Sequence, residues 1–225
     1  MAHTMNRSER TFLCIYYSLS YLVFPSVFSL ISRLLNIPLW HCQIALFAMN
    51  FFFSVLICRR YLLEDGKMAV HSIGKFLSGS ILGFVFYYTA NLGVSYLIYF
   101  LQPEYINLND AQIVNLAQEG SVGIILCTVF LAPIAEELLF RGLLFGAVHR
   151  KHPAMAWIVS ASAFSAAHVI GYIGQYNLFS CLLAFVQYLP AGFCLAFAYK
   201  RSGTIFAPVL IHTVNNLIGA TILFQ

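Results

Sequence analysis

Three short groups of residues in the last hundred positions of this sequence have types and spacings that could do chemistry together. The first is Glu136-Glu137-Leu138-Leu139-Phe140-Arg141. Glu137 and Arg141 are four apart, so on a helix they share a face and can form an ion pair. Glu136 is turned roughly 100° away around the same helix, which leaves one carboxylate without that partner. The second group is Phe164-Ser165-Ala166-Ala167-His168, and the third is His212-Thr213-Val214-Asn215-Asn216. In both, the outer residues again share a helical face at a spacing of four. A carboxylate beside an imidazole can take a proton from water and make it a nucleophile. A second imidazole and an amide can donate hydrogen bonds to the oxyanion of a carbonyl that turns tetrahedral.

Each residue also has a plainer reading. One Glu–Arg pair can simply orient helices, a lone His is more often a hydrogen-bonded helix contact, and Asn is common between membrane helices. Asn215, turned away from the His212–Asn216 face, reads as a packing or capping group. His149 and His152 flank Arg150 and Lys151 and read as solvated loop residues. There is no G-x-S-x-G and no H-E-x-x-H pattern. Glu136, His168 and His212 could nevertheless hold zinc with an open water position. Spacing leaves the choice open between a metal-free and a zinc-bound water.

These groups need a scaffold, and composition says which solvent it meets. Of 225 residues, 60% are hydrophobic and 9% charged, where a soluble domain has about a quarter charged. Disorder needs the opposite balance. Apolar runs cover 12–35, 38–58, 76–101, 122–147, 154–170, 178–199 and 204–224, each near the ~20 residues that cross a bilayer as a helix. The expectation is an all-α, polytopic bundle of about seven spans. It forms a single membrane domain over 1–225, with the motif-bearing core at about 122–225.

The bases test that order independently. Arg7, Arg10, Arg59, Arg60, Lys67, Lys75, Arg150, Lys151, Lys200 and Arg201, ten of the twelve Lys and Arg, fall in alternate loops. Positive loops stay in the cytoplasm, so the expected topology is N-terminus in and C-terminus out. The first run is too long for a signal-peptide core and reads as a retained anchor. The six cysteines lie in or beside the spans without C-x-x-C spacing, so they read as apolar filler. A net charge of +4 that follows the topology indicates no nucleic-acid partner. At ~1.5 Å per residue, Glu136, His168 and His212 lie about 16, 21 and 12 Å from the cytoplasmic ends of their spans, so all three can meet near the bilayer middle.

Taken in order, Glu136-Glu137-x-x-x-Arg141, Phe164-x-x-x-His168 and His212-x-x-x-Asn216 resemble the motifs of the CAAX protease and bacteriocin-processing family, the Abi family of intramembrane endopeptidases. The resemblance covers roughly the last hundred residues. It implies that Glu136 and His168 activate the attacking water, that His212 and Asn216 hold the oxyanion, and that Glu137, Arg141 and Phe164 support the site. It further implies a peptide or protein substrate presented at the bilayer, prenylated or a peptide precursor, and a glutamate-type mechanism without catalytic metal. Zinc at Glu136, His168 and His212 stands as the alternative cofactor. The short chain resembles prokaryotic members, which places it in a prokaryotic cell membrane. Two other functions use similar residues: a proton-coupled transporter, and a non-catalytic peptide-binding immunity or scaffold protein.

Overall fold

The computed structural model describes residues 4–120 and 122–223, and among them the protein is helical without a named strand. Ten helices follow in order. They are α1 (Arg7–Leu22), α2 (Phe24–Leu35), α3 (Leu39–Ile57), α4 (Arg59–His71), α5 (Ile73–Leu101), α6 (Leu108–Gly120), α7 (Val122–His149), α8 (Pro153–Ala167), α9 (Leu178–Ser202) and α10 (Phe206–Leu223). Helices satisfy every backbone N–H and C=O within one segment, which a bilayer requires of any span that is not part of a closed barrel.

Five helices are long and apolar enough to cross a membrane: α3, α5, α7, α9, and α8 with its short extension to Tyr172. The first expected run is two helices bent by 47°, which make a sixth span if counted together. The break falls at Val23, and Pro25 in the first turn of α2 supplies its cause. A proline has no N–H to give to the turn before it. The seventh run forms α10, whose apolar part, Phe206–Ile222, is shorter than the others; position 224 lies outside the described residues. The polar stretch between the second and third runs is not a plain connection but the helix α4. A second polar helix, α6, occupies most of the connection between α5 and α7.

Small residues set the helix spacing. A Cβ on Gly79 would lie 2.7 Å from Ser202, and one on Gly83 would lie 2.7 Å from the Cβ of Ala198. α5 and α9 therefore touch backbone to backbone, as membrane helices do when van der Waals packing replaces the hydrophobic effect. Gly192 of α9 stands against Ala161 of α8 in the same way, at 2.7 Å. The buried core runs between these helices, α1 and the middle of α7, through Leu13, Tyr17, Leu138, Phe140, Leu195 and Tyr199. Large apolar side chains such as Phe52, Leu82 and Phe100 face outward, which a hydrocarbon solvent accepts.

Two buried carboxylates at the base-rich end of the bundle lock its termini. Glu9 accepts from the backbone N–H of Asn6 and of Tyr61, tying the start of α1 to the start of α4. Asp65 of α4 accepts from the Thr204 hydroxyl and, at 2.7 Å, from the Ile205 N–H. It thus caps the chain as it enters α10, the helix that carries His212 and Asn216.

Candidate active site

The site begins with an irregularity in α7. Residues Cys127–Leu131 and Leu138–Phe145 are wound as π-helix, and a six-residue α-helical stretch, Ala132–Glu137, lies between them. Pro133 explains part of this, since it donates no hydrogen bond to the preceding turn. Widened turns of this kind recur at functional sites. Glu136 and Glu137 stand at the end of the short α-helical stretch, and Arg141 sits inside the second π segment. At the turn before them, the Ala135 carbonyl accepts from the Tyr17 hydroxyl at 2.6 Å, so α1 braces the same place.

Glu137 and Arg141 are both fully buried, and their ion pair closes at 3.0 Å. Arg141 also donates to the Gly192 carbonyl at 3.1 Å. Its guanidinium lies 4.6 Å from the centre of the Phe164 ring, a cation–π contact that favours the charge in a dry site. The Glu137 Oε1 that meets Arg141 also lies 2.9 Å from Nδ1 of His212. One carboxylate therefore serves α7, and through its partners α9 and α10 as well.

Glu136 faces elsewhere, as its position on the helix requires. Its Oε2 lies 3.8 Å from Nε2 of His168 and 3.8 Å from Nε2 of His212. Both separations exceed a direct hydrogen bond, and Oε2 is buried with no hydrogen-bond partner in the protein. The opposite nitrogens of both rings are engaged. His168 Nδ1 lies 2.9 Å from the Phe164 carbonyl, and His212 Nδ1 lies 2.9 Å from Glu137. Each partner is an acceptor, so Nδ1 carries a proton in both rings. In the neutral form each ring then turns the lone pair of Nε2 towards Glu136. Three acceptors converge without a donor between them.

The structure thus brings Glu136, His168 and His212 together, with Glu137, Arg141 and Phe164 packed behind them. Asn216 is placed differently: its amide donates to the Thr128 carbonyl in the first π segment at 2.9 Å. Asn215 donates to the Asn216 Oδ1 at 3.2 Å, so it orients Asn216 rather than only packing. His149 is the last residue of α7 rather than a loop residue, and it lies 2.9 Å from Lys200 in an exposed contact. Among the described residues no group of three or more His, Cys, Asp or Glu has the closeness needed to hold a metal ion.

Sequence reasoning missed several contributors. Tyr17, Asp65, Asn107 and Tyr188 lie far from the motifs in the chain. Tyr188 stacks on the His168 ring with centroids 4.3 Å apart and planes 23° from parallel. Tyr17 and Tyr188 are signalled only by a hydroxyl inside an apolar run, while Asp65 and Asn107 lie in polar stretches that single out neither.

Comparison with known proteins bears on the same stretch. Residues 118–218 match the family model described as type II CAAX prenyl endopeptidase Rce1-like. A Bacillus subtilis (strain 168) protein, YdiL, named as a membrane peptidase, is 30% identical over 109 residues, or 48% of this chain and 40% of that protein. The UPF0177 protein YxdF of Lactococcus lactis subsp. lactis (strain IL1403) is 28% identical over 110 residues, or 49% of this chain and 52% of that protein. The matched stretch thus spans about half the length of these curated relatives, or less. No solved structure matches. Over residues 118–218, which carry all three motifs, this chain matches the type II CAAX prenyl endopeptidase family, and the resemblance read from those motifs is shown there.

Proposed function

We propose that this protein is an intramembrane endopeptidase that hydrolyses a peptide bond with a water activated by Glu136 and His168. The observation that carries this reading is the convergence of the Glu136 carboxylate and two Nε2 atoms at 3.8 Å each. A water seated between Glu136 and neutral His168 donates one hydrogen bond to each and keeps its lone pairs for a carbonyl carbon. The water O–H bond breaks towards Glu136, and the new C–O bond forms as the carbonyl π electrons move to oxygen. The C–N bond then breaks, and the amine leaves with the proton that Glu136 took. His168, fixed by the Phe164 carbonyl, orients the water.

The oxyanion needs donors. His212, with Nδ1 given to Glu137, serves it from Nε2–H in the doubly protonated form, whose charge Glu137 balances. Asn216 gives one N–H to Thr128 and has a second for the oxyanion. In a water-poor site such donors are worth several kcal/mol. Glu137, Arg141 and Phe164 hold these groups in place.

The substrate class follows the family match: a peptide or protein presented at the bilayer, prenylated at its C-terminus or a peptide precursor. The reading includes an N-terminus in the cytoplasm and a C-terminus outside, supported by the bases in alternate loops, and a prokaryotic cell membrane, supported by the likeness to bacterial proteins.

The test uses the full chain in proteoliposomes with a fluorescent peptide library that includes lipidated C-terminal peptides. Wild type is compared with Glu136→Gln, each with and without a zinc chelator. Cleavage by wild type alone, unaffected by chelator, is the expected result. Loss with chelator moves the mechanism to zinc. Equal cleavage by both forms removes Glu136 from the reaction.

A further inference from the structure

Beyond the motif residues, two rings pack against the His168 imidazole. Tyr188 stacks on one face with ring centroids 4.3 Å apart, and Phe164, 4.5 Å away, stands roughly at right angles to that direction, its ring centre 6.4 Å from that of Tyr188. Phe164 belongs to the same helix as His168, and Tyr188 comes from α9. A buried imidazole tied by one hydrogen bond at Nδ1 can still swing about that bond. Two rings packed against it limit that freedom, and with it the error in where Nε2 points.

Tyr188 is itself fixed from outside the motifs. Its hydroxyl donates to Asn107 Oδ1 at 3.3 Å. That same oxygen accepts from the backbone N–H groups of Asn109 and Asp110, which makes Asn107 the cap of α6. The neighbouring Gln187 Oε1 accepts from Tyr105 and from the Asn107 amide, at 2.9 and 3.1 Å. The segment between α5 and α6 is therefore stitched to the turn of α9 that carries Tyr188.

We propose that Tyr188 is a positioning residue of the reaction: its ring, stacked on one face of the His168 imidazole, limits the swing of that ring and keeps Nε2 aimed at Glu136. This rests on the endopeptidase reading above for its consequence in catalysis, while the stacking itself is a property of the protein whatever it catalyses. The groups facing His168 from the surrounding helices are Glu136 of α7, His212 of α10 and, behind Phe164, Arg141; none of them contacts the ring face that Tyr188 covers. Tyr188 touches no reacting atom, so its loss acts on geometry. Misplacement of a catalytic group by about 1 Å can lower a rate by about 100-fold.

The experiment compares wild type, Tyr188→Phe, Tyr188→Leu and Glu136→Gln as full chains in proteoliposomes, with cleavage kinetics. Nitrogen NMR of histidine-labelled protein in detergent reads the His168 tautomer. Tyr188→Leu is expected to lower kcat by about 10- to 100-fold with KM within about twofold. Tyr188→Phe keeps the ring and is expected to stay within about threefold of wild type. The NMR signature of a single Nδ1–H tautomer should persist in Tyr188→Phe and average in Tyr188→Leu. A Tyr188→Leu variant with unchanged kcat, or with an unchanged tautomer signature, overturns the proposal. So does equal loss in the Phe and Leu variants, which would assign the role to the hydroxyl. If wild type and Glu136→Gln do not differ in cleavage, the endopeptidase reading fails, and the NMR comparison still decides whether Tyr188 holds the ring.

Discussion

Nδ1 of His212 stands 2.9 Å from Oε1 of Glu137, the same oxygen that meets Arg141 at 3.0 Å. A carboxylate and an imidazole 75 residues apart in the chain thus share one buried contact. It decides which nitrogen of His212 remains to face Glu136. In the proposed reaction the two adjacent glutamates divide the work: Glu137 orients and balances charge, and Glu136 meets the space where bonds would change.

That contact gives a first prediction. Glu137→Ala leaves Arg141 charged and fully buried, with only the Gly192 carbonyl and aromatic faces for company. Breaking one side of a buried ion pair costs about 3–5 kcal/mol. A large fall in the thermal midpoint in detergent is expected. The double variant Glu137→Ala with Arg141→Leu should recover part of that loss, since no unpaired charge remains. A double variant worse than the sum of both single changes would sink this account.

Asp65 gives a second. Nothing in the motifs points to it, yet it is fully buried and holds the entry to α10 through Thr204 and Ile205. Asp65→Ala takes the acceptor from a buried N–H and a buried hydroxyl, a cost of about 1–3 kcal/mol. Asp65→Asn retains one accepting oxygen and should lose less. Thermal unfolding of the three forms in the same detergent measures the order. If Asn and Ala fall equally, the charge of Asp65 and not its acceptor geometry holds α10.

The third concerns pH, and Asp110 of α6, outside the spans. Burial pushes its carboxyl up to about 6 from an ordinary value of 3.8. Between those values the folded state holds the proton that the unfolded state has lost. Stability from this group is therefore present at low pH and declines as pH rises from about 4 to about 6, then levels. Asp110→Asn removes the slope. The variant should gain on wild type across that window in denaturant titrations at several pH values. Parallel curves for both proteins would show that Asp110 does not titrate in this way.

The membrane class and the helical architecture were legible in the sequence because both follow from composition and run length, which are local. So were Glu136, Glu137, Arg141, His168 and His212, since polar groups inside apolar runs are costly enough to single themselves out. The spacing of four predicted the Glu137–Arg141 pair directly. The bend at Val23 was less visible, because Pro25 sits inside a run whose mean hydropathy does not change. In the sequence α4 looks like a connection, because its length and charge say nothing about what it packs on.

What only the tertiary structure decided is which surfaces meet. Sequence spacing fixes a face on one helix and is silent about the helix opposite it. The 3.8 Å approach of two imidazoles to Glu136, the support of His212 by Glu137 and the grip of Asp65 on α10 all join residues from different helices. Asn216 shows the limit best: its face was predicted with His212, but its amide is directed by a carbonyl that the π-helical turn of α7 presents. The sequence by itself determined what kinds of group lie in the membrane and along which helical faces. The packing of small residues, Gly79 on Ser202, Gly83 on Ala198 and Gly192 on Ala161, decided how close those faces come. Close contact between helices is a joint property of two surfaces, and neither strand of sequence holds it alone.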